Sequence, residues 1–215
     1  METKINPLDE QKRILADSII KNLSKRNLEG FYCPTSEDAV KKVLELIPEN
    51  SSIGYGGSVT LNESGIMTAL KSGKFNLIER EKYNTPELQR EVAGKIARAD
   101  FFLMSTNAMT MDGELVNIDG RGNRVCYLIY GPQNVIVVCG WNKIETDLES
   151  AIKRARNVAA PPNCIRLNKN TPCVKNGHCN DCFSPDCICS HFVVTRRSSI
   201  PGRIKVIIVG ENLGY

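Results

Sequence analysis

At 215 residues and 41% hydrophobic content, the chain is long enough to bury the core of one large domain, or of one domain with an appendage. Its 28 basic against 24 acidic residues leave a net charge of +4, too small and too dispersed to argue for nucleic acid. No apolar run reaches bilayer-spanning length and the start is polar with no signal peptide in view, so membrane and secretion are not expected, and nine cysteines imply a reducing, cytoplasmic setting.

Apolar residues at Leu8, Ile14, Leu15, Ile19, Ile20 and Leu23 predict an amphipathic helix over 8–28, with Pro7 near its start. Residues 1–30 form an N-terminal helical segment in this reading, and 31–215 an α/β domain. Residues 31–34 read as a strand with Cys33 in the core. Thr35-Ser36-Glu37-Asp38 is a helix-start signature, and that helix runs to about Ile47 before Pro48. Ser52-Ile53-Gly54-Tyr55 is a short strand entering a glycine turn.

Gly54-Tyr55-Gly56-Gly57-Ser58-Val59-Thr60-Leu61-Asn62-Glu63 lays out strand, glycine turn and helix. Such a layout lets backbone N–H groups approach an anion. It is neither a Walker loop nor a dinucleotide fingerprint, and a merely structural tight turn is the competing reading. Ser58 and Thr60 would add hydroxyl contacts, and Glu63 stands one helical turn on.

Residues 75–78 predict a strand, 86–99 a helix, and the apolar run Phe101-Phe102-Leu103-Met104-Ser105 a strand buried on both faces, as in parallel sheets. The strand–helix alternation argues for an α/β fold with ligands beyond the carboxyl ends of the strands. Thr106 and Asn107 fall at that edge. Asp112-Gly113 reads either as functional or as a hairpin turn. The polar stretch from Asn117 through Asp119, Gly120 and Asn123 to Arg124 reads as a cation-bearing loop.

Residues 125–130 and 134–139 read as strands, with Cys126 and Cys139 in the core. Asn142 and Lys143 end the second of these at the suspect edge. A helix is expected over 146–159, ending before Pro161-Pro162, and a short strand over 164–167. Residues 192–195 and 203–209 return the chain to the sheet. The dense basic spots, Lys153-Arg154-Ala155-Arg156 and Arg196-Arg197, read as solvated faces.

Between these last segments, Cys173, Cys179, Cys182, Cys187 and Cys189 crowd into a turn-rich loop with Gly177, His178 and Pro185. A loop with so little apolar surface needs something to offset the entropy of ordering it, and a thiolate-bound metal does so. A disulfide knot fits poorly with a chain that does not look secreted. An iron–sulfur cluster of the four-iron kind on Cys173, Cys179, Cys182 and Cys189 is the leading reading, with Cys187 as an alternative ligand. A structural zinc is the other, although only Cys179 and Cys182 form a Cys-x-x-Cys knuckle.

In combination, Gly54-x-Gly56-Gly57-Ser58-x-Thr60-Leu61-x-Glu63, Thr106-Asn107-Ala108, Asp112-Gly113, Asn117-x-Asp119-Gly120-x-Gly122-Asn123-Arg124 and Asn142-Lys143 resemble the LUD-domain, or lactate-utilisation, family. Pro201-Gly202-Arg203 and the stretch 210–215 resemble its clostridial members. The resemblance covers nearly the whole chain. It implies a Rossmann-like, mostly parallel sheet flanked by helices, similar to the ribose-phosphate isomerase, glucosamine-phosphate deaminase and CoA-transferase superfamily. Some members carry a cysteine loop matching Cys173, Cys179, Cys182 and Cys189, with a basic residue where Cys187 stands. The better-studied members act in oxidising L-lactate to pyruvate with iron–sulfur partners.

The function expected is binding of a small anionic metabolite. Gly54, Gly56, Gly57 and Ser58 would hold it through backbone N–H groups, Arg124 and Lys143 would supply charge, and Glu63, Asp112 or Asp119 would move protons. No flavin or nicotinamide fingerprint is present, so a hydride acceptor would come from an iron–sulfur or flavin redox partner. Homo-oligomerisation is compatible with the pattern. The alternatives are a non-catalytic, metal-stabilised subunit that docks a redox partner, and acyl or CoA transfer with Glu63 as nucleophile.

Overall fold

Side chains of successive residues in the central strands alternate between two separate cores, as parallel strands covered on both faces require. The computed structural model describes residues 6–215, apart from the side chain of Glu81, so residues 1–5 of the expected N-terminal segment lie outside the described residues. In chain order the first elements are α1 (Pro7–Lys25), β1 (Glu29–Cys33), α2 (Ser36–Leu46), β2 (Ser52–Tyr55), α3 (Val59–Glu63), α4 (Ile66–Ser72), β3 (Asn76–Leu77) and α5 (Pro86–Ala97). There follow β4 (Phe101–Ser105), β5 (Ala108–Thr110), β6 (Leu115–Asp119), α6 (Val125–Ile129), β7 (Asn134–Gly140) and β8 (Ile144–Glu145). The chain ends with α7 (Leu148–Arg154), α8 (Ala160–Arg166), α9 (Pro172–Asn176), β9 (His191–Thr195) and β10 (Ile204–Val209).

The main sheet has six strands in the order β1-β10-β7-β4-β2-β3, and every pair is parallel. On one face Phe102, Met104, Val135, Val137, Val206 and Ile208 pack with Ile19 and Leu23 of α1 and Val92 and Ile96 of α5. On the other, Phe101, Leu103, Ile136, Val138, Ile207 and Val209 pack with α2 and α4 through Val43, Ile66 and Leu70. The N-terminal helix thus closes one face of the domain core. Thr35, Ser58 and Thr85 cap α2, α3 and α5 by accepting from Asp38, Leu61 and Leu88 backbone N–H groups.

A second sheet of four strands, β8-β5-β6-β9, stands beside the first. Its β5–β6 and β6–β9 pairs are antiparallel, and Ala108, Val116 and Ile118 pack on Ala151 and Ala155. Residues 192–195 therefore rejoin this sheet rather than the main one.

Several expectations are corrected. The polar loop expected from Asn117 begins inside a wholly buried strand, Leu115–Asp119, because Asp112-Gly113 makes the hairpin turn and Gly113 takes φ 89°. Residues 125–129 are helical, not a strand. A five-residue apolar run carries no period that separates the two. Cys126 is consequently exposed rather than in the core, whereas Cys33 and Cys139 are buried. The helix expected to stop before Pro161 runs on, through a π turn at Ala155–Ala159, into α8. The wide turn accommodates the two prolines, which donate no hydrogen bond to the turn behind them. Cys164 therefore sits on a helix, not on a strand.

Candidate functional site

All parallel strands end on one side, and the chain leaves β2 toward β3 but leaves β4 toward β7. The crevice between β2 and β4 is thus the topological switch point, where open α/β sheets bind ligands. A pocket of about 280 Å³ lies there. Of the residues expected at a site, Gly57, Ser58, Thr60, Thr106, Asn107, Asp119, Gly120, Asn123, Arg124 and Lys143 line it.

Lys143 is the deepest cation. Its side chain is buried, and Nζ donates to Thr60 Oγ1 (2.8 Å), Ser105 Oγ (3.1 Å) and the Thr106 carbonyl (3.4 Å). Burial, reinforced by Arg154 and Arg124, pulls its pKa down to about 8. No carboxylate pairs with it among the described residues.

Arg124 has a different task. Its Nη1 donates to the Ser105 carbonyl and Asn117 Oδ1, and Nη2 to Asn107 Oδ1 and the Ile118 carbonyl. Nε stands 3.5 Å from Asp119 Oδ2. The guanidinium therefore ties β4, β6 and the Asn107 turn together, and its pKa is lowered mainly by burial. Arg124 forms the wall rather than reaching into the pocket.

Of the three carboxylates expected to act on protons, only Asp119 lines the pocket; it also accepts the Gly122 N–H at 3.0 Å. Glu63 is exposed and accepts the Gly214 N–H at 2.6 Å. Asp112 lies in the exposed hairpin turn beside α1, where its carbonyl accepts from Arg26 Nε. Gly54 serves packing, since a Cβ there would meet Ile96 at 2.7 Å, and Gly56 spends its N–H on the Leu103 carbonyl. The expected cradle of backbone donors thus narrows to Gly57 and Ser58. Asn117 lies behind the wall, fully buried.

Asn142 holds residues 213–214 on both sides, accepting from Leu213 N and donating to the Gly214 carbonyl, both at 3.0 Å. Together with Thr60 and Glu63 it brings Tyr215 to the pocket. Among the described residues, the buried side-chain polar atoms without a partner are Tyr215 Oη and Asn117 Nδ2. Reading from the sequence missed Arg80, Arg121, Arg166 and Tyr215, which also line the pocket. Arg121 lay inside the polar stretch singled out, but isolated arginines elsewhere give no signal.

The cysteine loop encloses a cavity of about 560 Å³ next door. Cys173, Cys179, Cys182, Cys187 and Cys189 line it, and so does Cys164 from α8. Arg156 Nη2 donates to Asp181 Oδ1 (2.6 Å) and stands 3.6 Å from Cys179 Sγ, so this arginine is not simply solvated. Arg154, its neighbour, is buried and donates to the Asn107 and Asn142 carbonyls, which corrects the same expectation. The Cys189 N–H points to Cys187 Sγ (3.4 Å), and the Asp181 N–H to Cys179 Sγ (3.5 Å). Burial pushes Cys164 up to about 11 and Cys189 up to about 12, while hydrogen bonds from Ser184 pull Cys182 down.

Four thiolates of one zinc ion stand about 3.8 Å apart, given Zn–S bonds of about 2.3 Å. Among the described residues, no three Cys, His, Asp or Glu side chains are gathered as ligands of one ion. The cavity's donor chemistry, thiols with N–H groups aimed at the sulfurs of Cys179 and Cys187, is compatible with a thiolate-held group. Ile188, between Cys187 and Cys189, lines the crevice pocket, so the two cavities share a wall.

A family model described as the LUD domain matches residues 16–209. The structure is similar to that of a DUF162 family protein from Deinococcus radiodurans, with a TM-score of 0.53 and 13% identity over 92% of this chain and 98% of that one. Looser matches are ribose 5-phosphate isomerase A from Neisseria gonorrhoeae (TM-score 0.34, 16% identity, 54% of this chain, 56% of that one) and eIF2B delta from Chaetomium thermophilum (TM-score 0.37, 16% identity, 68% and 59%). No curated protein matches in sequence. No helix among the described residues is long and apolar enough to cross a membrane.

Proposed function

The chain belongs to the LUD domain family, and from that premise we propose that it binds a small organic anion of the 2-hydroxy or 2-oxo acid class at the β2–β4 crevice, beside an iron–sulfur cluster held by the cysteine loop. The observation that carries the anion site is the charge imbalance. Arg121, Arg124, Lys143 and Arg166 line the pocket with Asp119 as the one acidic side chain among its lining residues, and Asp119 already faces Arg124. A buried ammonium without a counter-charge is costly, and a carboxylate entering from solvent relieves that cost. The Tyr215 hydroxyl, buried and without a partner, offers the anion a donor. Asp119 is the group placed to accept a proton from a bound hydroxy acid.

Cys173, Cys179, Cys182 and Cys189 would hold the cluster, with Cys164 and Cys187 in reach of the same cavity. A cluster there would supply electron transfer or Lewis acidity. Protein prepared without oxygen and assayed for iron, acid-labile sulfide and lactate or pyruvate binding by calorimetry tests both halves. Brown protein that binds pyruvate is the expected result; colourless protein carrying one zinc overturns the cluster, and no anion binding overturns the pocket.

A second reading, in which the loop docks a redox partner, draws on Phe183. That ring is 99% exposed beside Cys182. Loss of electron transfer to an iron–sulfur or flavin partner in Phe183→Ser, with metal content unchanged, would support it.

A further inference from the structure

The second sheet ends in an open edge. β9 is its outermost strand and pairs with β6. The register of that pair runs one to one over five residues, from His191 opposite Asp119 to Thr195 opposite Leu115, so no bulge turns the edge away. Every second residue of an edge strand aims its N–H and C=O outward. Among the described residues, no other backbone pairs with those of β9. Proteins blunt such edges with lysine, proline, bulges or very short strands. β8, at the other edge of this sheet, is two residues long. His191-Phe192-Val193-Val194-Thr195 carries none of these devices.

The side chains of β9 are open as well. Phe192 and Val194 share a face with Ile118 and Val116, the residues opposite them in β6. On that face Val116 and Ile118 are covered by Ala151 and Ala155, whereas Phe192 stays 47% and Val194 38% exposed. The Arg156 guanidinium stands 5.9 Å from the Phe192 ring centre and pairs with the exposed carboxylate of Asp181.

The strand is also complementary to itself. In an antiparallel pair centred on Val193, Phe192 lies across from Val194 of the second copy, and Val194 across from its Phe192. Aromatic against β-branched is a favourable cross-strand match, and here it is made twice. One residue further, the exposed Arg196 comes opposite Ser190 of the second copy, on the side of Phe192 and Asp181.

We propose that β9 pairs antiparallel with β9 of a second copy of this chain, so that two four-stranded sheets become one of eight strands across a two-fold axis. The contact covers Phe192 and Val194 and sets a basic residue of each copy toward an acidic residue of the other. A strand from a different protein would find the same N–H and C=O row, but the self-matching order of residues favours a second copy. Phe192 also lines the cysteine cavity, so the second copy stands at that cavity's rim. The inference depends neither on the anion pocket nor on a bound metal.

Sedimentation equilibrium of the intact protein over a range of concentrations tests it. A dimer in exchange with monomer is expected. Val194→Lys sets an ammonium against Phe192 of the second copy and should raise the dissociation constant about tenfold or more. Arg196→Glu, an exposed change outside the strand, should raise it about fivefold. Leu8→Lys, on the exposed side of α1, should leave it unchanged. A protein that is monomeric at every concentration overturns the proposal. A dimer that neither Val194→Lys nor Arg196→Glu weakens, in protein with the parent's melting temperature, overturns its placement at β9.

Discussion

A Cβ built on Gly120 would lie 3.3 Å from Ile188 Cα, so the crevice pocket and the cysteine loop touch there, and any side chain at 120 would require the Ile188 backbone to give way by a few tenths of an ångström. Gly120 follows β6, and Ile188 stands between Cys187 and Cys189. Gly120→Val should therefore push the loop away. The expected outcome is a fall in both metal content and anion affinity, with the melting temperature of the main domain little changed, since neither of its cores includes either residue. Ile188→Ala should lower anion affinity alone. Wild-type iron content and wild-type pyruvate affinity in Gly120→Val would show that the wall is not rigid.

Lys143 should make stability and binding respond to pH in opposite directions. Its ordinary value of 10.5 falls to about 8 in the folded chain. Between those values the unfolded chain holds a proton that the folded chain has released, so stability rises with pH across the interval, and below about 8 the full cost of the buried charge is present. Anion binding needs the ammonium and should decline as pH rises through about 8. Lys143→Met should abolish both trends, with the melting temperature near pH 7 equal or higher and pyruvate affinity reduced by about tenfold or more. A pH-independent affinity in the unmodified protein would separate Lys143 from the ligand.

Arg124→Ala should behave as a structural loss. It strips partners from Asn107, Asn117, Asp119 and the Ser105 and Ile118 carbonyls at once. Removing one side of such a buried network costs about 3 kcal/mol or more. Thermal or urea unfolding reads this directly. Arg124→Lys should recover little, because one ammonium cannot replace a fork bonded on both sides. A melting temperature within a degree or so of the parent would mean that the network holds nothing together.

The main sheet was legible because its strands announce themselves. Runs such as Phe101-Phe102-Leu103-Met104 have length, flanking helices and no competing period. The second sheet was hidden because Asn117 and Asp119 are polar, yet both are buried in β6, where Arg124 pairs with Asn117 Oδ1 and the Asp119 carboxylate from another element. The same tertiary bonding moved Arg154 indoors. The glycine turn was found from its pattern, but which of its glycines face a ligand depended on Ile96 and Leu103, far away in sequence. Cys164 escaped notice because the π turn that carries a helix past Pro161 leaves no mark in composition.

Thiol reactivity distinguishes an occupied cavity from six independent cysteines. Cys126 is exposed and Cys33 and Cys139 are buried in the main domain, so all three should alkylate alike whether or not metal is present. Cys173, Cys179, Cys182 and Cys189, if they hold a cluster, should be protected from iodoacetamide in protein kept from oxygen. They should become reactive after chelation, because a thiolate donating to iron is a poor nucleophile. Cys164 faces the same cavity and should follow them, as its place on α8 requires. Peptide mass spectrometry after alkylation gives each site separately. Cys179→Ser combined with Cys182→Ser should then leave Cys173 and Cys189 reactive without any chelator. Equal labelling of all the cavity thiols before and after chelation, in freshly prepared protein, would mean that no metal joins them.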